Sequence, residues 1–449
     1  MLPSATQADT LEWALVQAYQ NNPTMNAQRA AVRATDESVP QALSGYRPKI
    51  SATASATEQY IDTRSKASTT SNVYTSQSGN NVAQSYGATI TQNVLNGFQT
   101  ANRTRQAESQ VSGARETLRN TEQQVLLSAA TAYMNLLRDS AILDLQRRNV
   151  EVLQEQLRQT RDRFNVGEVT RTDVAQAESR LAAGRSSLLS AESNYTTSRS
   201  TYRQVIGVEA GKLAAASPVD RLSPKALPQA INEARTIHPT VTVAQFTVDA
   251  ALLQVKINEG ALYPTLNVVG SATKGFGAAS SLTTIEQFVG SVAGQYSIPV
   301  YQGGGEYSAI RQAKETLSQR RVDLDTAREQ SQQTVVQSWG HLEAAKAQIQ
   351  ATQAQVAAAE IALNGVREEA RVGQRTTLDV LNAQQELVNA RVSLVTAQLD
   401  RVVASYTLLA AVGRLSAQVL GLGVQIYDPV VHYHQVRDSW VGVRTPDGK

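Results

Sequence analysis

The segment Arg163-Phe164-Asn165-Val166-Gly167-Glu168-Val169-Thr170-Arg171-Thr172-Asp173-Val174 has a counterpart in Arg371-Val372-Gly373-Gln374-Arg375-Thr376-Thr377-Leu378-Asp379-Val380-Leu381. A shift of 206 positions, carrying Val94 onto Val300, sets Val166-Gly167 on Val372-Gly373 and Asp173-Val174 on Asp379-Val380. The same shift sets Arg105-Gln106-Ala107 on Arg311-Gln312-Ala313 and holds without a gap as far as Gly207 and Gly413. Toward the N-terminus it becomes 216, because the first copy holds ten extra residues between Pro48 and Val94. There Asn22-Pro23-Thr24 answers His238-Pro239-Thr240, and Arg47-Pro48 answers Tyr263-Pro264. A period of roughly 200 residues is too long for a solenoid, whose units run about 20–50 residues. The chain reads as a duplicated domain, and its function must suit two similar halves side by side.

Composition narrows the classes. Of 449 residues only five are Phe, three Trp and three Met, while Ala, Gln, Ser and Thr dominate. That mix suits long helices with small-residue seams better than a thick core. The absence of Cys excludes disulfides, thiolate metal sites and Cys nucleophiles, and leaves the redox compartment open. A net charge of +3, with no run of five or six like charges, gives no footprint for nucleic acid. No stretch approaches the ~18 consecutive apolar residues of a membrane helix, so a membrane would have to be crossed by strands. Met1–Ala8 ends in Thr6-Gln7-Ala8, compatible with the remnant of a secretory signal whose charged and apolar regions are missing.

Prolines divide the rest. None lies between Pro48 and Pro218 or between Pro299 and Pro429, and since proline disrupts helix interiors, these intervals are where long helices can form. Thr10–Ala34 carries a helical stripe of Leu11, Leu15, Ala18 and Tyr19, interrupted at Asn22-Pro23, and Ala27–Leu43 reads as helix again. Leu227–Arg235 and Val241–Asn258, split by His238-Pro239, repeat this arrangement. Strand-like stretches follow: Ile50–Thr57 and Tyr86–Leu95 around a loop signal at Ser78-Gly79-Asn80-Asn81, then Thr265–Ala272 and Gln287–Val300 around a Gly/Ser-rich segment from Gly275 to Ser281. Each copy thus offers two strands of about ten residues, long enough to cross a membrane when tilted. A soluble hairpin on a small sheet fits the strand pattern as well.

The long helices are expected from Gly97 to Gly167 and from Gly303 to Gly373, each about 100 Å at ~1.5 Å per residue. In the second, Val335, Leu342, Ile349, Val356 and Leu363 recur at every seventh position, and Ala344, Ala351 and Ala358 form a smaller series on another flank. A seven-residue period means supercoiling against a neighbour. Two seams favour a ring of helices with neighbours on both sides over a simple coiled-coil hairpin, which needs one. Return helices follow over Thr170–Ile206 and Thr376–Val412, where Thr170-x-x-Asp173 and Thr376-x-x-Asp379 fit capping boxes with Asp in place of Glu. The domains are therefore a possible signal remnant over 1–8, a first repeat over 9–213 (strand hairpin about 49–96, helical hairpin about 97–207), a second over 214–420 (about 264–301 and 303–413) and an irregular tail over 421–449.

No catalytic constellation or cofactor signature is present. His341 reads as a surface or seam residue, and His432-Tyr433-His434 has a spacing that would suit a metal only on a strand. Gly303-Gly304-Gly305 lacks the Lys-Ser/Thr ending of a phosphate loop and reads as a permissive turn.

With its two turn segments in register with a duplicated strand–helix plan, the chain resembles the TolC family of outer-membrane efflux and type I secretion channels over nearly its whole length. The resemblance implies an α+β membrane protein. Its homotrimer would build one twelve-stranded outer-membrane β-barrel, four strands per chain, continuous with a long periplasmic α-helical barrel. It implies a passive exit duct with no enzyme activity and no cofactor. The partners would be outer-membrane lipid, a periplasmic adaptor protein and an inner-membrane transporter, either ABC-type or proton-driven. It further implies a periplasmic gate. Asp173 and Asp379 would line the entrance as carboxylate rings that favour cations. Arg375 would link its turn to Thr172 and Asp173, Gln156 would join the network, and Gly167 and Gly373 would form the hairpin turns. Two positions depart from the family pattern: Ala370 stands in place of a tyrosine, and Asn382 in place of a second aspartate one turn beyond Asp379. A non-channel coiled-coil scaffold of the periplasm is the competing reading, which explains the helices but leaves the strands idle.

Overall fold

The computed structural model describes residues 9–66, 68–277, 286–446 and 448. The possible signal remnant and residues 278–281 of the Gly/Ser-rich segment lie outside them. In order come α1 (Leu11–Asn21), α2 (Pro23–Asp36), α3 (Ser38–Leu43), β1 (Lys49–Lys66), β2 (Tyr74–Asn96), α4 (Gln99–Asn165), α5 (Arg171–Ile206), α6 (Leu227–Ile237), α7 (Pro239–Gly260), β3 (Thr265–Phe276), β4 (Glu286–Ser297), α8 (Gly305–Arg371), α9 (Thr377–Ala411) and α10 (Pro429–Val436). Among the described residues no helix is long and apolar enough to cross a membrane. Two compact units divide the chain, Met1–Arg33 with Ser112–Gln245 and Val322–Val430, and Ala34–Val111 with Phe246–Arg321 and Val431–Lys449. Each duplicated half contributes to both.

The second unit holds one antiparallel sheet in the order β1-β2-β3-β4. Opposed residues share a face of a sheet, and alternate residues change face. The register Ile50↔Ile90, Ile90↔Gly270 and Gly270↔Val292 therefore traces one face, with Ala52, Ala88, Ala272 and Gly290 in the next row and Ala54, Tyr86, Lys274 and Phe288 beyond it. The opposite face carries Ser51, Thr53, Ser55, Ser85, Thr89, Thr91, Ser271 and Ser291. Its hydroxyls pair across strands, Ser55 with Ser85 and Ser271 with Ser291, each at 2.8 Å. One face is largely apolar and the other largely hydroxylic, although Lys49, Val269, Ala293 and Val289 also fall on the second; Lys274, on the apolar face, is matched by Glu286 at 2.5 Å.

Two expectations need correction in this unit. β1 and β2 run 18 and 23 residues rather than about ten, and Ser78-Gly79-Asn80-Asn81 is part of β2, paired with Gln59–Asp62. Gly and Asn are poor strand formers, but an unbroken ladder supplies their backbone partners and overrides the weak propensity. The connection falls instead between Lys66 and Tyr74. The tail, expected to be irregular, contains α10. There His432 lies buried with its Nδ1 3.0 Å from Asp36 Oδ2, and Tyr433 packs against Val39, Ala107 and Val111. On a helix His432 and His434 diverge by about 200°, so the pair does not face one ligand.

The first unit is helical. Leu11, Leu15 and Tyr19 of α1 pack with Leu126 and Tyr133 of α4, Tyr202 and Ile206 of α5, and Tyr406 and Leu409 of α9. The second copy does the same with Ala230 and Ala234 of α6 against Val335 and Leu342 of α8 and Leu408 of α9. Of the seven-residue series on α8, Val335, Leu342 and Leu363 are buried, whereas Ala344, Ala351 and Ala358 are exposed. Among the described residues nothing covers the Ala seam.

Tyr133 is the polar pin of this core. Its hydroxyl lies 2.7 Å from the carbonyl oxygen of Asp9 and 2.6 Å from that of Ala214, where residue 9 forms a parallel bridge to Leu213. Burial pushes the phenol up to about 12, so it stays a neutral donor throughout the working range. Tyr133→Phe removes the donor to the part-buried Ala214 carbonyl, while the Asp9 carbonyl keeps the Ala214 N–H, at a cost of about 1 kcal/mol. Loss of helical circular dichroism on heating should move to lower temperature, and an unshifted midpoint would remove Tyr133 from this role.

Candidate functional site at the helix turns

Both helical hairpins reverse by the same two devices. At the end of α4, Glu168 N–H donates to the Arg163 carbonyl at 2.9 Å and Gly167 N–H to that of Phe164 at 3.0 Å. At the end of α8, Gln374 and Gly373 repeat this with Glu369 and Ala370, at 2.9 and 3.2 Å. This is the Schellman closure, which needs a left-handed residue after the helix; Gly167 and Gly373 supply it with φ of 78° and 81°. Val166 and Val372 are left exposed at the two tips. Thr170 and Thr376 then start the return helices with complete capping boxes.

The capping boxes place the two aspartates. Asp173 Oδ2 accepts from the Thr170 backbone N–H at 2.8 Å and from its hydroxyl at 2.7 Å. Asp379 does the same with Thr376, at 2.9 Å in both cases. The Thr170 hydroxyl, then its backbone N–H, hold the Asp173 carboxyl below the usual range. For Asp379 the Thr376 backbone N–H leads, followed by the hydroxyl, with Arg375 nearby. Both side chains are therefore fixed in direction and charged.

Gln156, Asp173 and Arg375 line one cleft of about 880 Å³, along with Thr170, Arg367 and Thr376. Thr172 is exposed beside Asp173, while Asp379 and exposed Asn382 occupy the first turns of α9 outside that lining. Within one chain Arg375 Nε donates to Glu369 at 2.8 Å, which pushes the already high guanidinium pKa further up. An ion pair also crosses the first turn, Arg163 Nε to Glu168 at 3.0 Å. Its polarity is reversed: the cation precedes Gly167 but follows Gly373. A small apolar cluster holds the hairpins together, with Val150, Leu153 and Leu157 of α4 and Ala177 and Leu181 of α5 meeting Leu381 of α9.

Some contacts here went unnoticed in the sequence. Arg161 bonds Glu178 at 2.6 Å between α4 and α5, and at the equivalent positions Arg367 bonds Gln384 at 3.0 Å between α8 and α9. Arg180 of α5 reaches the Asn382 side-chain oxygen on α9 at 2.6 Å. The 206-residue shift pairs Arg161 with Arg367 and Glu178 with Gln384, and that signal could have revealed the first two contacts. Nothing in the spacing marks the third. Among the described residues no group of three or more His, Cys, Asp or Glu side chains is placed to hold a metal ion.

Comparison with known proteins places this architecture. The family model described as outer membrane efflux protein matches twice, over residues 14–208 and 230–414. The outer membrane efflux protein BepC of Brucella suis is 41% identical over 451 aligned positions, covering 99% of this chain and 94% of its own. The outer membrane protein TolC of Escherichia coli is 28% identical, covering 95% and 87%. The Campylobacter jejuni CmeC outer membrane channel superposes with a TM-score of 0.79 over 95% of this chain and 89% of its own, at 15% identity. The duplicated strand–helix plan is thus the α+β fold of TolC, and the chain belongs to the outer membrane efflux protein family as a protein of the outer membrane.

Proposed function

We propose that three copies of this chain close into one twelve-stranded barrel and serve as the passive exit duct of a tripartite export system. The four-stranded sheet, apolar on one face and hydroxylic on the other, carries this reading. In lipid every backbone polar group needs a partner, so a sheet with open edges at β1 and β4 cannot span alone. Four strands are too few to close a barrel, and copies of the same sheet supply matching edges. The apolar face then meets lipid and the Ser/Thr face lines the passage. The β2–β3 ladder of twelve residues (Thr265–Phe276) is close to the ~9–11 residues a tilted membrane strand requires. Each repeat, 9–213 and 214–420, gives one strand hairpin and one helical hairpin. The exposed Ala344, Ala351 and Ala358 seam suits a helix of a neighbouring copy.

The turn cleft is the gate in this reading, on the periplasmic side. Arg375 shares it with Asp173 and Gln156, and in the closed trimer Arg375 would bridge to the Thr172–Asp173 corner of a neighbouring hairpin, in competition with Glu369. Exposed ion pairs are worth only about 0–1 kcal/mol each, so closure depends on threefold repetition. With Ala370 offering no phenol, few other polar links hold the tips. A periplasmic adaptor and an inner-membrane transporter, ABC-type or proton-driven, would supply the energy of opening. The cargo would be small molecules, secreted protein or both.

Three outcomes test this. Outer membranes extracted with detergent should yield heat-resistant trimers. Ile90→Lys on the apolar face should deplete them, since Lys at mid-membrane depth costs about 2–4 kcal/mol, while Thr89→Lys on the hydroxylic face should assemble. Arg375→Ser should raise single-channel conductance in planar bilayers, and unchanged conductance would remove Arg375 from the gate. Finally, a trivalent cation added on the helical side should block current through the Asp379 and Asp173 carboxylates. Because hydrogen bonds from Thr376 and Thr170 lower both pKa values, block should persist as pH falls through the ordinary carboxylate range and vanish only below it. Block lost together with free aspartate's titration would show that these groups do not bind the cation.

A further inference from the structure

At the tip most arginines are matched by carboxylates: Arg158 by Glu155, Arg161 by Glu178, Arg163 by Glu168, Arg371 by Glu368 and Arg375 by Glu369. Two are not. Arg180 donates to the amide oxygen of Asn382 at 2.6 Å and Arg367 to that of Gln384 at 3.0 Å. Among the described residues no carboxylate forms an ion pair with either guanidinium. An amide oxygen orients a guanidinium as a carboxylate does but leaves its charge uncancelled. Duplication shows what is missing at Gln384, because the first copy has Glu178 at that place.

The placement of Arg180 gives this charge a use. Asn382 lies one helical turn beyond Asp379 on α9, so the Arg180–Asn382 bond anchors a full positive charge about one turn from the residue whose negative charge the capping box fixes. The amide cannot ionise and Arg is charged at any working pH, so the positive charge at this bond is permanent.

We propose that Arg180, oriented by Asn382, is a specificity-determining residue that offsets the Asp379 ring, so that the duct admits anionic and zwitterionic cargo alongside cations. The proposal rests on the entrance reading above. In a narrow, partly dehydrated passage a fixed charge biases ion entry by Coulomb interaction, and three copies act together. Because Arg180 spans from the first hairpin to the second, the bond also ties charge selection to the seam between α5 and α9.

The full-length trimer in planar bilayers under a salt gradient reads this directly as the cation-to-anion permeability ratio. Arg180→Gln should raise the ratio at least about twofold, the effect of removing one nearby unit charge in a high-dielectric setting. Asn382→Asp should raise it in the same direction by neutralising Arg180 where it stands. Arg180→Lys, which keeps the charge, should leave it near the wild-type value. An unchanged ratio in Arg180→Gln, or in Asn382→Asp, overturns the proposal. Asp379→Asn read alongside separates the two levels. If it lowers the ratio while Arg180→Gln does nothing, only the role of Arg180 falls; if it too does nothing, the entrance reading falls with it.

Discussion

The outermost strands, β1 and β4, each leave a row of backbone N–H and C=O groups without strand partners among the described residues. In water such an edge is a liability; in hydrocarbon it is untenable, because no solvent is there to satisfy it. The requirement propagates outward from the strands. The edges can be satisfied only by like edges, so the sheet must close on copies of itself. Closure in turn fixes which face meets lipid and which meets the passage, and the register decides that before any partner arrives. Ile50, Ile90 and Val292 fall on one side, while Ser55, Ser85, Ser271 and Ser291 fall on the other. A one-residue slip between strands would exchange the two faces, which is why the hydroxyl pairs Ser55–Ser85 and Ser271–Ser291 matter beyond their small energies.

Two copies of one plan carry different loads at their turns. Glycines with φ near 80° and Thr–Asp capping boxes recur in both, so the reversals are geometrically alike. What differs is charge. The cross-turn ion pair runs Arg163 to Glu168 in one copy and Glu369 to Arg375 in the other. The inter-helix bond is an ion pair at Arg161–Glu178 but a charge–amide bond at Arg367–Gln384. The shared backbone keeps the hairpins interchangeable in shape, while the side chains make adjoining tips unlike. Unlike tips can attract each other where identical ones would present like charge to like.

Much of this could be read from the chain before its structure was known, for reasons that can be named. Duplication and proline-free intervals located the helices, because α4 and α8 have no competing signal over 67 residues each. The capping boxes were legible because they are local, three residues apart. The extent of β1 and β2 was not, since Ser78-Gly79-Asn80-Asn81 favours a turn locally and only the ladder opposite Gln59–Asp62 keeps it extended. His432 was misplaced for the same reason: its partner Asp36 is 396 residues away in sequence. At the tip, Gln156 of α4, Asp173 of α5 and Arg375 of the α8–α9 turn were brought to one cleft, while Arg180 escaped notice because its partner lies on the other repeat.

The tip is held less firmly than the helical core around Tyr133. Its apolar cluster is six buried side chains centred on Leu153, Leu181 and Leu381, whereas the cluster around Tyr133 and Tyr202 gathers side chains from α1, α2, α4, α5 and α9. The polar links at the tip are exposed pairs of about 0–1 kcal/mol each, several confined to one turn and so indifferent to how the hairpins stand. Glu369 binding Arg375 is the clearest case: it satisfies the guanidinium whether or not a neighbouring Asp173 is within reach. Such a local partner lowers the cost of separating the tips, because a released arginine is never left without a carboxylate. The gate proposed above needs a barrier of this modest kind, and a tip held by a buried salt bridge would be far harder to part.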